Sequence, residues 1–168
     1  MDKLTLDRIQ LLHPKLRGEV TNIYTEICKA LSGKALCRFA YTLRTNAEQD
    51  VLYAQGRTDK TKPIVTNAKG GQSFHNYGMA CDIVLIVDKD GNGTYESASW
   101  DTKSDFDGDG KSDWQEVVTI FKQYGWIWGG DWKFTDAPHF EKSFGKSIVQ
   151  LQELKKLNKV DKEGYVII

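Results

Sequence analysis

Two short segments of the chain combine imidazole and carboxylate side chains. The first holds His75 and Asp82, and the second holds Asp136 and His139, so two of the 3 histidines lie in these segments. Two neutral imidazole nitrogens and one carboxylate oxygen form a ligand set that Zn²⁺ accepts, with a fourth position left for water. The residue types therefore indicate a metal site that activates water for hydrolysis. The alternative is a structural or surface role, which is the commoner one for a single histidine.

The residues around Asp82 predict how the two segments meet. Residues 80–87 form an apolar, β-branched run that is typical of a short buried strand, and Gly78 permits a bend before it. A carboxylate near the start of such a strand needs a cation or another partner, because an unpaired buried charge is costly. Pro138 favours an extended or turn conformation around His139. A second strand beside the first would bring His139 to the same metal.

Several motifs of the chain occur together in one family of enzymes. The chain contains Ser-x-His-x-x-Gly-x-Ala-x-Asp at residues 73–82, Trp-Gly-Gly-Asp-Trp at residues 128–132 and Asp-x-x-His-Phe at residues 136–140. This combination resembles the zinc peptidases of the D-alanyl-D-alanine carboxypeptidase and L-alanyl-D-glutamate endopeptidase group. Residues 44–49 resemble the Arg-[Ser/Thr]-x-x-x-Gln segment of the same group. The motifs cover most of residues 38–145, and the Trp-Gly-Gly-Asp-Trp run resembles the endopeptidase branch found in phage endolysins.

The resemblance implies a role for each residue that matches a motif. The implied zinc ligands are His75, Asp82 and His139. Asp136, which stands where the family often has Glu, would be the general base that takes a proton from the attacking water and passes it to the leaving amine. Arg44 would stabilise the developing oxyanion or hold a substrate carboxylate. Ser73 would donate or accept a hydrogen bond with the substrate or with the residues around the metal.

A second candidate metal site lies in an acidic insertion at about residues 88–116. Residues 105–116 match the calcium-loop pattern D-x-[DN]-x-[DN]-G-x5-E at every specified position. The oxygen ligands of calcium would come from Asp105, Asp107, Asp109, the Lys111 carbonyl, Asp113 and Glu116. An earlier loop begins in the same way at Asp88 but has Ser99 where the pattern requires Glu. Surface turns rich in Asp and Gly are the alternative for both loops, since these residues dominate turns without calcium.

The periodicity of apolar residues predicts an α+β fold. Helices are expected near residues 15–31, 47–55, 114–124 and 147–157, and strands near residues 36–42, 80–87, 126–128 and 138–142. The order of these elements favours a small antiparallel sheet that carries the zinc ligands, with helices packed on one face. We expect a single peptidase domain over residues 1–168, with the acidic loops as an insertion.

Composition and charge narrow the range of partners and locations. The chain is 40% hydrophobic and has 23 basic and 23 acidic residues, so its net charge gives no argument for binding nucleic acid or a membrane surface. The 3 cysteines include no Cys-x-x-Cys pair, which favours reduced thiols. The N-terminal residues lack the apolar core of a signal peptide, and no run reaches the roughly 18 apolar residues of a membrane span. We expect a monomer that is made in the cytoplasm and reaches the cell wall by an unidentified route.

The resemblance implies a zinc-dependent hydrolase of the peptidoglycan stem peptide that cleaves the bond between L-alanine and D-glutamate. The alternative within the class is a D-alanyl-D-alanine carboxypeptidase or dipeptidase, which would act on short peptides with a free C-terminus. The alternative from another class is a non-catalytic module that binds calcium or peptidoglycan. The presence of Asp136 and of all three implied zinc ligands favours an enzyme.

Overall fold

The computed structural model describes all 168 residues and confirms the α+β class. The helices are α1 (Lys3–Ile9), α2 (Pro14–Ala30), α3 (Asn46–Ala54), α4 (Asp113–Gln123) and α5 (Ile148–Lys156). The strands are β1 (Ala35–Tyr41), β2 (Ala80–Val87), β3 (Ser97–Ser99), β4 (Ile127–Trp128) and β5 (His139–Glu141). Two 3₁₀ turns cover Phe74–Tyr77 and Gly129–Asp131. Each predicted helix and strand is present, whereas α1, β3 and both 3₁₀ turns are too short to have been predicted from periodicity.

The strands form one antiparallel sheet in the order β1-β2-β5-β4. β1 pairs with one edge of β2, and the other edge of β2 is shared by β5, at residues 80–82, and by β3, at residues 85–87. In this register Asp82 lies directly opposite His139. Directly opposed residues project to the same face of a sheet, as do residues two apart on one strand, so Asp82, His139 and Glu141 share one face.

The opposite face of the sheet packs against helices α1, α2 and α4. Phe39 of β1 and Phe140 of β5 belong to one buried cluster with Tyr24 of α2 and Phe121 of α4. The rings of Phe121 and Phe140 are stacked, with centroids 4.3 Å apart. Since Phe140 directly follows His139, this aromatic stack fixes the strand that carries the predicted zinc ligand.

His13, the histidine outside the two motifs, has a structural role. Its Nδ1 accepts a hydrogen bond from the backbone N–H of Lys15 and caps α2, and its Nε2 lies 2.9 Å from the backbone oxygen of Val166. Val166 is 1% exposed and belongs to the core cluster, so the C-terminal residues pack against the start of α2. None of the helices combines the length and apolar composition that a membrane crossing requires.

Candidate metal centre and active-site cleft

The structure brings the three predicted zinc ligands together on the face of the sheet opposite helices α1, α2 and α4. Oδ1 of Asp82 lies 3.1 Å from Nε2 of His75 and 3.1 Å from Nδ1 of His139, and the two nitrogens are 3.2 Å apart. Nitrogen and oxygen ligands of a tetrahedral zinc ion, with bonds of about 2.0–2.1 Å, lie about 3.3 Å from one another. The triangle formed by these atoms therefore has the size that zinc requires.

Each imidazole has one nitrogen in this triangle, the inner nitrogen, and one outside it, the outer nitrogen. Hydrogen bonds to the two outer nitrogens orient both imidazoles. Nδ1 of His75 lies 2.6 Å from the backbone oxygen of Thr42, and Nε2 of His139 lies 3.0 Å from Oε2 of Glu141. Both partners are acceptors, so the outer nitrogens are assigned as the donors of neutral imidazoles. The lone pairs of the inner nitrogens then face each other and Oδ1 of Asp82. Three electron-rich atoms at this separation repel one another unless a metal ion or a proton lies between them, and this donor set fits zinc.

The charges within the cluster favour an ionised Asp82. Burial alone would raise the pKa of Asp82, but the charges and hydrogen bonds of His75 and His139 hold that pKa well below its ordinary range. Burial lowers the pKa of His139, yet its hydrogen bonds to Asp82 and Glu141 outweigh burial and raise the pKa to about 9. A proton on His139 thus offsets part of the negative charge of the two carboxylates when no metal is bound, and a metal ion would replace that proton.

The 3₁₀ turn and the β1–α3 connection place His75 beside Arg44. Oγ of Ser73 accepts a hydrogen bond from the backbone N–H of His75 and caps the 3₁₀ turn. The backbone N–H of Arg44 donates to the backbone oxygen of His75 at 3.0 Å. Directly after Arg44, Thr45 and Glu48 form a capping box that starts α3 and fixes the direction of the chain.

A buried glutamine holds the Arg44 side chain at the edge of the three predicted zinc ligands. Nη1 of Arg44 donates to Oε1 of Gln49 at 3.0 Å, and Nη2 lies 3.4 Å from Oδ2 of Asp82. Gln49 is 1% exposed, and its Nε2 also donates to the backbone oxygen of Ala68. The Gln of the Arg-Thr-x-x-x-Gln segment therefore orients the arginine and joins it to the segment before the 3₁₀ turn.

Asp136 lines the same cleft as the three predicted ligands and Arg44. Its backbone N–H donates to the oxygen of Gly129 at 2.9 Å, and its own oxygen accepts from the N–H of His139 at 3.1 Å. Desolvation by the surrounding protein raises the pKa of Asp136; the charge of His139 opposes this shift, and that of Asp82 adds to it. A raised pKa brings a carboxylate closer to the range in which general bases operate.

The cleft around the cluster is open and has a volume of about 590 Å³. Three exposed aromatic side chains line it, from Tyr41, Trp100 and Trp132. Ser73 also lines it, in addition to capping the 3₁₀ turn. An open cleft with aromatic walls and a metal-binding cluster on its surface can accept an extended polar chain such as a peptide.

The second candidate metal site, at residues 105–116, contributes no residue to the lining of this cleft, although Trp100 of the acidic insertion does. Of the predicted calcium ligands, the side chains of Asp105, Asp107 and Asp113 come within 4.8 Å of one another. Asp109 instead forms an ion pair with Lys111, 3.0 Å away, and Lys111 lies 3.8 Å from Glu116. A strand, β3, precedes the loop and α4 follows it, so no helix pair surrounds it.

The part of the chain that contains the predicted metal site is similar to a known peptidase family. Residues 66–142 match the profile of a family described as D-alanyl-D-alanine carboxypeptidase. This profile covers 77 of the 168 residues, slightly less than half of the chain. The matched segment contains the three predicted zinc ligands and Asp136, whereas Arg44 and Gln49 lie before it. The family resemblance inferred from the motifs is confirmed.

Two relatives extend this comparison. The chain is 54% identical over 99 residues to the peptidoglycan L-alanyl-D-glutamate endopeptidase CwlK of Bacillus subtilis strain 168. That alignment covers 58% of this chain and 55% of the relative, so the chain spans about half the length of this curated protein. The crystal structure of Serratia marcescens L-Ala D-Glu endopeptidase ChiX superposes with a TM-score of 0.53 at 20% identity, over 86% of this chain and 90% of that one. The ChiX comparison shows a shared fold.

Gly129, in the Trp-Gly-Gly-Asp-Trp run, has no room for a side chain. A Cβ atom there would lie 2.4 Å from the backbone oxygen of Asp136 and 3.2 Å from the Cβ of His139. We expect Gly129→Ala to displace the segment that contains Asp136. The expected fall in kcat is about 100-fold, the cost of a shift of about 1 Å at a reacting group. Steady-state kinetics on a soluble peptide substrate measure this effect.

The control for this substitution is Gly18→Ala in α2, where a Cβ would meet nothing within 4 Å. This variant should keep the kcat of the parent and unfold at an equal or higher temperature, because Ala favours a helix over Gly by up to about 1 kcal/mol. A Gly129→Ala variant with unchanged kcat would show that the 3₁₀ turn at Gly129 can shift without moving the carboxylate of Asp136.

No motif of the sequence assigns a role to Glu141, but its position two residues after His139 on β5 places both side chains on one face of the sheet. We expect Glu141→Gln to lower zinc affinity by about 10–100-fold, the usual effect of removing the carboxylate partner of a metal-binding histidine. Competition with a chromophoric chelator measures the affinity. Glu153→Gln, at an exposed position of α5, is the control. Equal zinc affinity in both variants would contradict an orienting role for Glu141.

Proposed function

We propose that the chain is a zinc-dependent peptidase that hydrolyses the stem peptide of peptidoglycan between L-alanine and D-glutamate. The observation that carries the proposal is the arrangement of two inner imidazole nitrogens and one carboxylate oxygen at 3.1–3.2 Å from one another, in an open cleft also lined by Asp136. The peptidase family whose profile matches residues 66–142 supports peptide hydrolysis. The names of CwlK and ChiX support the choice of bond.

The proposed mechanism assigns a task to each side chain of the cleft. His75, Asp82 and His139 would hold the zinc ion, which when bound acidifies water and polarises a carbonyl group. Asp136 takes the proton of the attacking water and passes it to the nitrogen of the leaving amine. Arg44, oriented by Gln49, places a guanidinium where the oxygen of the scissile carbonyl gains negative charge. Thr42 and Glu141 keep the two imidazoles in the tautomers that bind metal.

The experiment that tests the proposal is digestion of purified peptidoglycan followed by mass spectrometry of the new termini. Zinc-loaded protein should produce L-alanine C-termini and D-glutamate N-termini in equal amounts. Release of free D-alanine without these termini would favour the carboxypeptidase alternative. Tight binding of peptidoglycan without cleavage by the zinc-loaded protein would favour the non-catalytic alternative.

We also infer that residues 1–168 act as one peptidase domain and as a monomer. The buried cluster extends from Ile9 of α1 to Val166 near the C-terminus and includes residues from both sides of the acidic insertion. A peptidoglycan substrate places the site of action at the cell wall, which a protein made in the cytoplasm must reach. Size-exclusion chromatography with light scattering checks the monomer, and fractionation of producing cells checks the location.

A further inference from the structure

We propose that residues 105–116 form a calcium site, with the buried carboxylate of Asp113 as a central ligand, and that calcium stabilises the start of α4. This site is separate from the proposed zinc centre and does not depend on the proposed peptidase function. The chain contains two acidic loops with a similar pattern, and the structure distinguishes them. We name residues 88–96 the first loop and residues 105–116 the second loop.

Both loops bring three carboxylates within 4.8 Å of one another, so clustering does not distinguish them. In the first loop the buried carboxylate belongs to Asp88, which is 5% exposed. Its Oδ1 accepts a hydrogen bond from the N–H of Gly91 at 2.8 Å, and its Oδ2 accepts one from the N–H of Gly93 at 2.8 Å. The backbone of the first loop therefore satisfies its buried carboxylate without an ion.

The buried carboxylate of the second loop is not satisfied in this way. Asp113 is 0% exposed, and its Oδ2 accepts one hydrogen bond from the N–H of Phe106 at 3.2 Å. Its Oδ1 is buried without a partner, as is Oε2 of Glu116 at the last position of the calcium pattern. A buried carboxylate oxygen without a partner costs folding free energy, and a bound cation removes that cost.

The electrostatics of the second loop also favour a bound cation. Burial raises the pKa of Asp113 to about 6; the backbone N–H groups of Phe106 and Asp107 oppose this shift, and the negative charges of Asp107 and Asp105 add to it. Lys111 is the cation within the loop, but its ammonium is exposed and pairs with Asp109 and, more distantly, with Glu116. The ammonium of Lys111 therefore does not serve as a partner for Oδ1 of Asp113.

The donor atoms favour calcium over other divalent ions. The second loop offers carboxylate and backbone oxygens and contains no histidine or cysteine, which suits a hard cation. Calcium accepts six to eight oxygens at about 2.3–2.6 Å in flexible arrangements, whereas magnesium demands near-octahedral geometry at about 2.0–2.1 Å. Movement of Asp109 and Glu116 away from Lys111 would complete an oxygen shell around Asp105, Asp107 and Asp113.

The contacts of the second loop predict what a bound ion does. Asp113 is the first residue of α4, and Oδ2 of Asp107 accepts a hydrogen bond at 2.9 Å from the N–H of Ser32, just after α2. An ion held by both carboxylates would connect the start of α4 to the end of α2, and these helices pack on each other in the core. Calcium should therefore raise thermal stability, with little effect on turnover at temperatures where the protein is folded.

The test is calorimetric titration of zinc-loaded protein with CaCl₂, together with thermal unfolding in CaCl₂ and in MgCl₂. The parent should bind about one calcium ion per chain, with a dissociation constant of about 0.01–1 mM, and unfold at a higher temperature in calcium. Asp113→Asn should weaken calcium binding at least tenfold. Without calcium it should unfold at the same temperature as the parent or higher, because it removes an unsatisfied buried charge.

The matched control is Asp90→Asn in the first loop, which should bind calcium as the parent does. The proposal is overturned if the parent gives neither binding heat nor a thermal shift in millimolar CaCl₂, or if MgCl₂ produces the same response. It is also overturned if Asp90→Asn abolishes binding while Asp113→Asn retains it. Peptidoglycan cleavage plays no part in these measurements, so their outcome is independent of the proposed enzymatic activity.

Discussion

Replacing Asp136 with Asn is expected to lower kcat by about 10²–10⁴-fold, the contribution of a positioned general base, while zinc content stays at about one ion per chain. Asn keeps the size of the side chain and the backbone hydrogen bonds to Gly129 and His139, but it cannot accept the proton of the attacking water. The measurements are kcat on a peptidoglycan-derived peptide and zinc content by elemental mass spectrometry. Loss of activity with retained metal would separate proton transfer from metal binding.

Asp131→Asn is the control for this experiment. Asp131 lies five residues before Asp136 but forms an ion pair with Lys122 of α4 at 2.7 Å, with half of its side chain exposed. Its replacement should change kcat by less than about twofold, because its side chain pairs with Lys122 and does not line the cleft. Near-parental kcat in Asp136→Asn would assign the proton transfer to another group of the cleft.

Replacing His139 with Ala is expected to remove zinc and, with it, all measurable cleavage. The variant loses one of three protein ligands, which should weaken zinc binding beyond the roughly 10–100-fold expected for Glu141→Gln. Zinc content after dialysis and cleavage of peptidoglycan are the two measurements. Asp82→Ala and His75→Ala should behave in the same way, because Nε2 of His75, Oδ1 of Asp82 and Nδ1 of His139 form one triangle.

His13→Ala provides the matched histidine control. His13 caps α2 and contacts the backbone of Val166, so its loss should lower the unfolding temperature and leave one zinc ion per chain. If variants of all three predicted ligands keep stoichiometric zinc, the metal binds elsewhere and the proposed centre is wrong. If they lose zinc but still cleave peptidoglycan, the metal is not required for the reaction.

The proposed zinc centre gains rigidity from the opposite face of the sheet. Phe140 lies between His139 and Glu141 on β5 and stacks on Phe121 of α4. Because successive side chains of a strand point to opposite faces, the packing of Phe140 in the core restrains the histidine and its carboxylate partner on the other face. A site held by secondary structure in this way requires little reorganisation when it binds metal.

The sequence by itself determined the residue types of the proposed metal site, the longer helices and strands, and the fold class. Residues 80–87 form a strand because their apolar, β-branched side chains suit a buried sheet, and the helices follow from apolar residues at helical spacing. The family resemblance supplied the roles of Asp136 and Arg44. These inferences depend on short-range patterns or on motifs that a single chain displays.

The tertiary structure alone decided which side chains orient the site and which acidic loop lacks a partner. His75 and His139 are 64 residues apart, and their approach depends on the pairing of β2 with β5. The two acidic loops are similar in sequence, yet backbone N–H groups satisfy Asp88 and leave Oδ1 of Asp113 unpartnered. Hydrogen-bond satisfaction depends on the positions of individual atoms after the chain has packed, and no local pattern encodes those positions.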